Sequence, residues 1–171
     1  MKKTRLAFAF LVAVAFGASA QKFALVNMDY ILRNLPDYEM ANEQLNQVSQ
    51  RWEKELVSLQ KEAETMYKNY QADMVFLTEE QQKKRAEEVA AKEKEVAELR
   101  SKYFGPEGEL YKKRQSLMKP IQENVYTAVK AVAEERKYQV IFDRASSQSI
   151  VFASPTIDVS NEVLTKLGFS K

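Results

Sequence analysis

The sequence predicts an α+β fold in two parts: a small β body acting as an oligomerisation hub, and a long antiparallel α-helical coiled-coil hairpin arm. Three observations lead there. Glycine and proline number only four each in 171 residues, too few for a compact globule with many turns. Two rows of apolar residues step by seven through the middle of the chain, which marks a narrow coiled-coil stripe. Short β-branched and aromatic runs stand near the two ends, where they read as strands.

The chain begins with Lys2, Lys3 and Arg5, an apolar run over 6–16, and then Gly17, Ala18, Ser19 and Ala20. That is the plan of a secretory signal peptide over 1–20, with cleavage expected before Gln21. The run is shorter than the roughly 20 apolar residues of a spanning helix, so the mature chain is expected beyond the inner membrane. With no cysteine, neither a lipid-modified cysteine nor a disulfide can form. The leader holds three of the 26 basic residues and none of the 24 acidic ones, so the formal charge falls from +2 to −1 on its removal. The basic balance of the whole chain is therefore no argument for nucleic acid.

Residues 23–28 form a short apolar run, read as a strand, closed by Asp29 as a helix cap. From there the apolar rows are Leu45, Trp52, Leu59, Met66 and Leu56, Ala63, Tyr70, Leu77. The pattern halts over 74–79, the expected tip. Thr78 with Gln81 three residues on makes a capping box, so a second helix is expected from Glu79. It carries its own row, Val89, Val96, Tyr103, Leu110 and Leu117.

An antiparallel hairpin turning at Thr78 sets residue i opposite 156 − i, which brings Phe104 to Trp52 and Pro120 to Pro36. Both prolines are expected where a helix starts, stops or bends. The expected organisation is a body from 21–36 and 120–171 and a hairpin over 37–119. Forty residues on the outward helix give an arm of about 60 Å. Beyond Pro120, the stripe Ile121, Val125, Val129 and Val132 is expected to pack on the strands.

Residues 138–142 and 150–153 are read as further strands, joined by the polar connector 143–149 as a hairpin. Asp158 is expected to cap a last helix through Val163, Leu164 and Leu167, with Gly168 past its end. A small β body has exposed edges and little core of its own, and a lone hairpin buries little area. Both suggest copies joined through the strands, with Phe23, Leu25, Val26, Val140, Ile141, Phe142, Val151 and Phe152 as the interface and body residues.

Catalysis finds little support. Without histidine or cysteine, the usual general base and the commonest metal ligands are missing. Asp29, Asp143 and Asp158 read as caps or turn residues, and Ser146, Ser147 and Ser149 as turn chemistry. No enzyme activity, catalytic residue, cofactor or metal is expected. Gly105-Pro106-Glu107-Gly108 makes a poor phosphate loop: Pro106 offers no N–H, and Glu107 and Glu109 repel the anion that Lys112, Lys113 and Arg114 attract. The seven-residue row runs straight across it. Gly105 and Pro106, with Pro120, are therefore expected to act as hinges of the arm.

FALVNMDYIL, LMKPIQENVYTAVKAVAEERKYQVIFD and DVSNEVLTKLG, set around a Glu/Lys/Gln-rich hairpin, together resemble the Skp/OmpH family of periplasmic chaperones. The likeness covers nearly all of the mature chain and is strongest over 119–122, 138–143 and 158–168. It implies a periplasmic homotrimer whose β body joins three helical arms around a cavity. It also implies a holdase that keeps unfolded outer-membrane proteins in solution without ATP.

Such a role needs many weak contacts, which flexible apolar side chains supply. Near the tip, Tyr67, Met74, Val75 and Phe76 are the client-contact candidates, while Met66, Tyr70 and Leu77 belong to the seam. Lys83, Lys84 and Arg85 could draw acidic clients, anionic lipid or lipopolysaccharide, although Glu79, Glu80, Glu87 and Glu88 flank them. The competing reading is an envelope coiled-coil scaffold or spacer with no client.

Overall fold

The structure is a computed structural model that describes residues 22–147 and 149–169; the leader and the cleavage site before Gln21 lie outside them. The fold class is the expected one, a very small sheet with long helices. In chain order the elements are β1 (Phe23–Val26), α1 (Met28–Arg33), α2 (Pro36–Asp73), α3 (Glu79–Phe104), α4 (Glu109–Arg136), β2 (Val140–Asp143) and α5 (Ser160–Lys166). They form two compact units. One is Pro36–Glu123; the other joins the described residues up to Leu35 to those from Asn124 onward.

In the first unit, α2 and α3 make the antiparallel hairpin. At 38 residues, α2 is about 57 Å long. It starts on Pro36, with Asp37 and Glu39 in its first turn, where a missing N–H costs nothing and negative charge is favoured. Leu56 and Ala63 of α2 and Val89 and Val96 of α3 are the buried side chains of the seam, and Ala41 and Leu45 are buried nearer the start of α2. Cross-seam contacts fix the register: Lys92 lies 3.0 Å from Glu62, Arg100 reaches Gln60 at 3.2 Å, and the Tyr103 hydroxyl donates to Glu55 at 3.1 Å. Each partner falls within four positions of the one expected for a turn at Thr78. The capping box is complete, Gln81 N–H donating to Thr78 Oγ1 and Thr78 N–H to Gln81 Oε1.

The break at Gly105 is present and short. α3 ends with Gly105 N–H on the Ser101 carbonyl, Gly108 N–H closes a turn on Gly105, and α4 begins at Glu109. Pro120 neither starts nor stops a helix: it lies inside α4, which continues to Arg136.

The second unit departs further from expectation. β1 and β2 pair in parallel, Phe23 beside Val140 and Val26 beside Asp143, so β2 is not half of a hairpin. Residues 150–153 are not a strand; Val151 and Phe152 are 98% and 86% exposed. Apolar, β-branched sequence reads as a strand, but a strand forms only where a partner supplies the ladder. Neither aspartate caps by the expected route. Asn27, not Asp29, caps α1, its side chain accepting from Tyr30 N–H. Val159 stands at the cap position of α5, while Asp158 reaches the Ser160 N–H at 2.9 Å and its backbone bridges to Leu25. Gly168 follows α5 at φ +88°, as expected of a glycine past a helix end.

Ile31, Val125, Val132 and Val163 are the largest fully buried side chains of this unit. Of the stripe expected after Pro120, Val125 and Val132 are buried together with Ala128, while Val129 is only half-buried. Arg136 to Glu162 at 3.0 Å and Lys166 to Glu135 at 2.5 Å tie the end of α4 to α5.

Candidate binding surfaces

The hairpin tip combines a fixed backbone with uncovered side chains. Met74–Phe76 form one 3₁₀ turn. The Gln82 side-chain amide donates to the carbonyls of Met74 and Leu77 at 2.9 and 3.2 Å, which locks the turn onto the first turn of α3. Outside that scaffold, Val75 and Phe76 are 78% and 86% exposed, and Tyr67 and Met74 are exposed as well. Met66, Tyr70 and Leu77 are half-buried. Of these large apolar groups, Tyr67, Met74, Val75 and Phe76 stand in water and belong to no core.

The basic run gives a weaker signal. Lys83, Lys84 and Arg85 are exposed, and Arg85 pairs with Glu88 at 3.4 Å. Asp73, Glu79, Glu80, Glu87 and Glu88 outnumber these cations, so no strong positive field forms at the tip.

In the other unit, Phe23, Val140 and Phe142 are about half exposed along the sheet, and Val151 and Phe152 stand in water beyond it. Leu25 and Val26 belong instead to the core, and Ile141 is half-buried. Asp143 is a structural anchor. Its carboxylate accepts from Met28 N–H at 3.1 Å, Ala145 N–H at 3.0 Å and Ser146 N–H at 3.2 Å, joining the end of β2 to the start of α1. Partial burial pushes this carboxyl up, but the donated hydrogen bonds outweigh it and hold the group below its ordinary range. Asp158 pairs with Arg144 at 3.1 Å and accepts from Ser160 Oγ, which in turn accepts from Asn27 N–H. Asp143 and Asp158 thus accept from backbone N–H groups at the starts of α1 and α5. Among the described residues, no group of three His, Cys, Asp or Glu is placed to hold a metal ion, and no helix is long and apolar enough to cross a membrane.

Sequence reasoning missed two features. A shallow groove runs along one face of the α2/α3 seam, lined by Ala63, Val96 and Ala97 and flanked by an exposed Val57. Val57 lies off both seven-residue rows, so the rows gave no signal for it. The other is an aromatic cluster of Trp52, Tyr103 and Phe104, in which Phe104 meets the indole edge-on at 6.3 Å. The pairing rule foresaw Trp52 with Phe104 but not the closer contact with Tyr103.

The model of the outer membrane protein (OmpH-like) family matches residues 22–167. The chain belongs to the OmpH-like family. This OmpH-like protein is 26% identical over 169 residues to the chaperone protein Skp of Yersinia enterocolitica, covering 98% of this chain and 99% of that one. Its fold matches a crystal structure described as an OmpH-like outer membrane chaperone from Caulobacter crescentus CB15. That match has a TM-score of 0.70 and 15% identity, and covers 88% of this chain and 86% of the other. At that identity it speaks for the fold alone.

Proposed function

We propose that this OmpH-like protein is an ATP-independent periplasmic holdase that binds unfolded outer-membrane proteins and prevents their aggregation in transit. One observation carries the reading: Val75 and Phe76 project into water from a turn that the Gln82 side chain holds at Met74 and Leu77. Family membership and the relative named as a chaperone support it. Contacts of this kind are weak singly and add up along a chain, which lets one surface serve many sequences. Phe23, Val140, Phe142, Val151 and Phe152 make the face through which copies assemble, as a trimer by the family resemblance. Gly105 and Pro106 are the flexing point of the hairpin.

The test dilutes a urea-unfolded outer-membrane protein into the purified mature protein and follows light scattering and complex mass. Protection at near-stoichiometric ratio with a recovered complex is expected. A scaffold without clients gives neither. Sedimentation at micromolar concentration checks assembly separately, and a monomer there would sink the trimer.

A further inference from the structure

The tip holds only part of the apolar surface that the hairpin presents. On one face of the α2/α3 seam, two hollows of about 380 and 430 Å³ meet at Arg100. Leu56, Ala63 and Val96 form the floor. Ala97 leaves room above them, and Tyr67 and Phe104 close the ends. The lining positions on α2 run from Glu53 to Tyr67, about 21 Å of helix, which six or seven extended residues would span.

The charges around the groove say what fits it. Glu53, Glu64 and Glu93 line it against one cation, Arg100, which already engages Gln60 at 3.2 Å. Glu64 and Glu93 have no hydrogen-bond or ion-pair partner among the described residues. Over its full length a second copy's α2 carries eight carboxylates and four cations, a net negative charge that opposes this occupant. We propose that the groove takes one extended segment of an unfolded client, apolar at alternate residues and carrying a lysine or arginine. In such a segment every second side chain enters the hollow, the pattern of a membrane-barrel strand, while the cation meets Glu64 and Glu93. The proposal rests on the holdase reading and adds to it a site with charge preference that meets the tip surface at Tyr67.

Trp52 is the chain's only tryptophan and packs on Phe104 at the groove's end, so its emission reports occupancy. The full mature protein is titrated with a tryptophan-free peptide of about seven residues, alternating Leu or Phe with Ser and ending in Lys, and with its Glu-ended counterpart. A saturable change in emission is expected, with the Lys peptide binding roughly fivefold tighter. The double variant Glu64→Lys/Glu93→Lys, altered only at exposed positions, should reverse that preference. Ala97→Phe should block both peptides. Equal binding of the two peptides, an unreversed preference in the double variant, or undiminished binding by a helical Ala97→Phe protein would each overturn the groove. If wild type protects the unfolded client but none of these peptide effects appears, the groove falls and the holdase stands. If wild type gives no protection, the holdase reading falls, and the titrations still decide whether the groove selects basic apolar segments.

Discussion

The indole of Trp52 lies flat on the phenol ring of Tyr103, centroids 4.6 Å apart and planes 6° from parallel. The contact sits two residues before the chain breaks at Gly105, with Phe104 edge-on to both rings. Stacking of this kind contributes about 0.5–1.5 kcal/mol beyond the area buried. Tyr103→Leu keeps an apolar seam residue but loses the stack and the hydroxyl's bond to Glu55. It should lower stability by about 1–2 kcal/mol and change Trp52 emission in the folded state, read by urea unfolding. An unchanged midpoint would mean the cluster is incidental.

The two glycines at the break are there for space. A Cβ on Gly105 would stand 2.3 Å from the Ser101 carbonyl oxygen, and one on Gly108 would stand 2.8 Å from that of Tyr103. Backbone oxygens cannot step aside. Gly105→Ala and Gly108→Ala should each cost about 1–3 kcal/mol, the usual scale of forced backbone shifts, whereas Pro106→Ala stays within about 0.5 kcal/mol, as exposed sites do. Urea melts order the three. If Gly105→Ala/Pro106→Ala leaves the X-ray scattering profile and client capacity as in wild type, the break is no hinge.

At the tip, Val75→Ser/Phe76→Ser removes exposed apolar groups without touching the Thr78–Gln81 box or the Gln82 bridge. Stability should stay within about 0.5 kcal/mol of wild type, while more protein is needed to suppress client scattering. Full protection by the variant would move client contact elsewhere.

Asp143 makes stability depend on acid. Its folded pKa lies below its unfolded value of about 3.9. The stabilisation is therefore complete above about pH 4 and is lost as pH falls through the lower folded value. Asp143→Asn should cost about 1–3 kcal/mol at pH 7 and flatten the fall in melting temperature between about pH 4 and pH 2. Melting curves across that range check both, and a parallel shift of the wild-type profile would reassign the acid dependence.

Lys137 ends α4 at φ +59°, the only non-glycine residue with positive φ among those described, and Tyr138 N–H reaches back to the Ala133 carbonyl. Glycine adopts that backbone without the Cβ penalty. Lys137→Gly should therefore raise stability by about 0.5–1 kcal/mol, a small upward shift in melting temperature. A decrease would show that the lysine side chain contributes more than its strained backbone costs.

Much of the hairpin is legible because its signals are local. Thr78 and Gln81 are three residues apart, the seam rows repeat every seven, and one turn position then places Lys92 near Glu62 and Phe104 near Trp52. The sheet is not legible in this way. Residues 150–153 have the composition of a strand and Asp29 that of a cap, yet Asn27 and Asp143 do the capping, and β2 pairs with a strand more than a hundred residues away. The sequence alone settles the long helices, their reversal and their break, since each follows from the period and end chemistry of one segment. Tertiary structure alone decides which strand pairs with which, that Pro120 stays inside a helix, and that the seam leaves a groove beside Ala63 and Ala97. Those outcomes depend on which distant groups meet, and no local pattern encodes that.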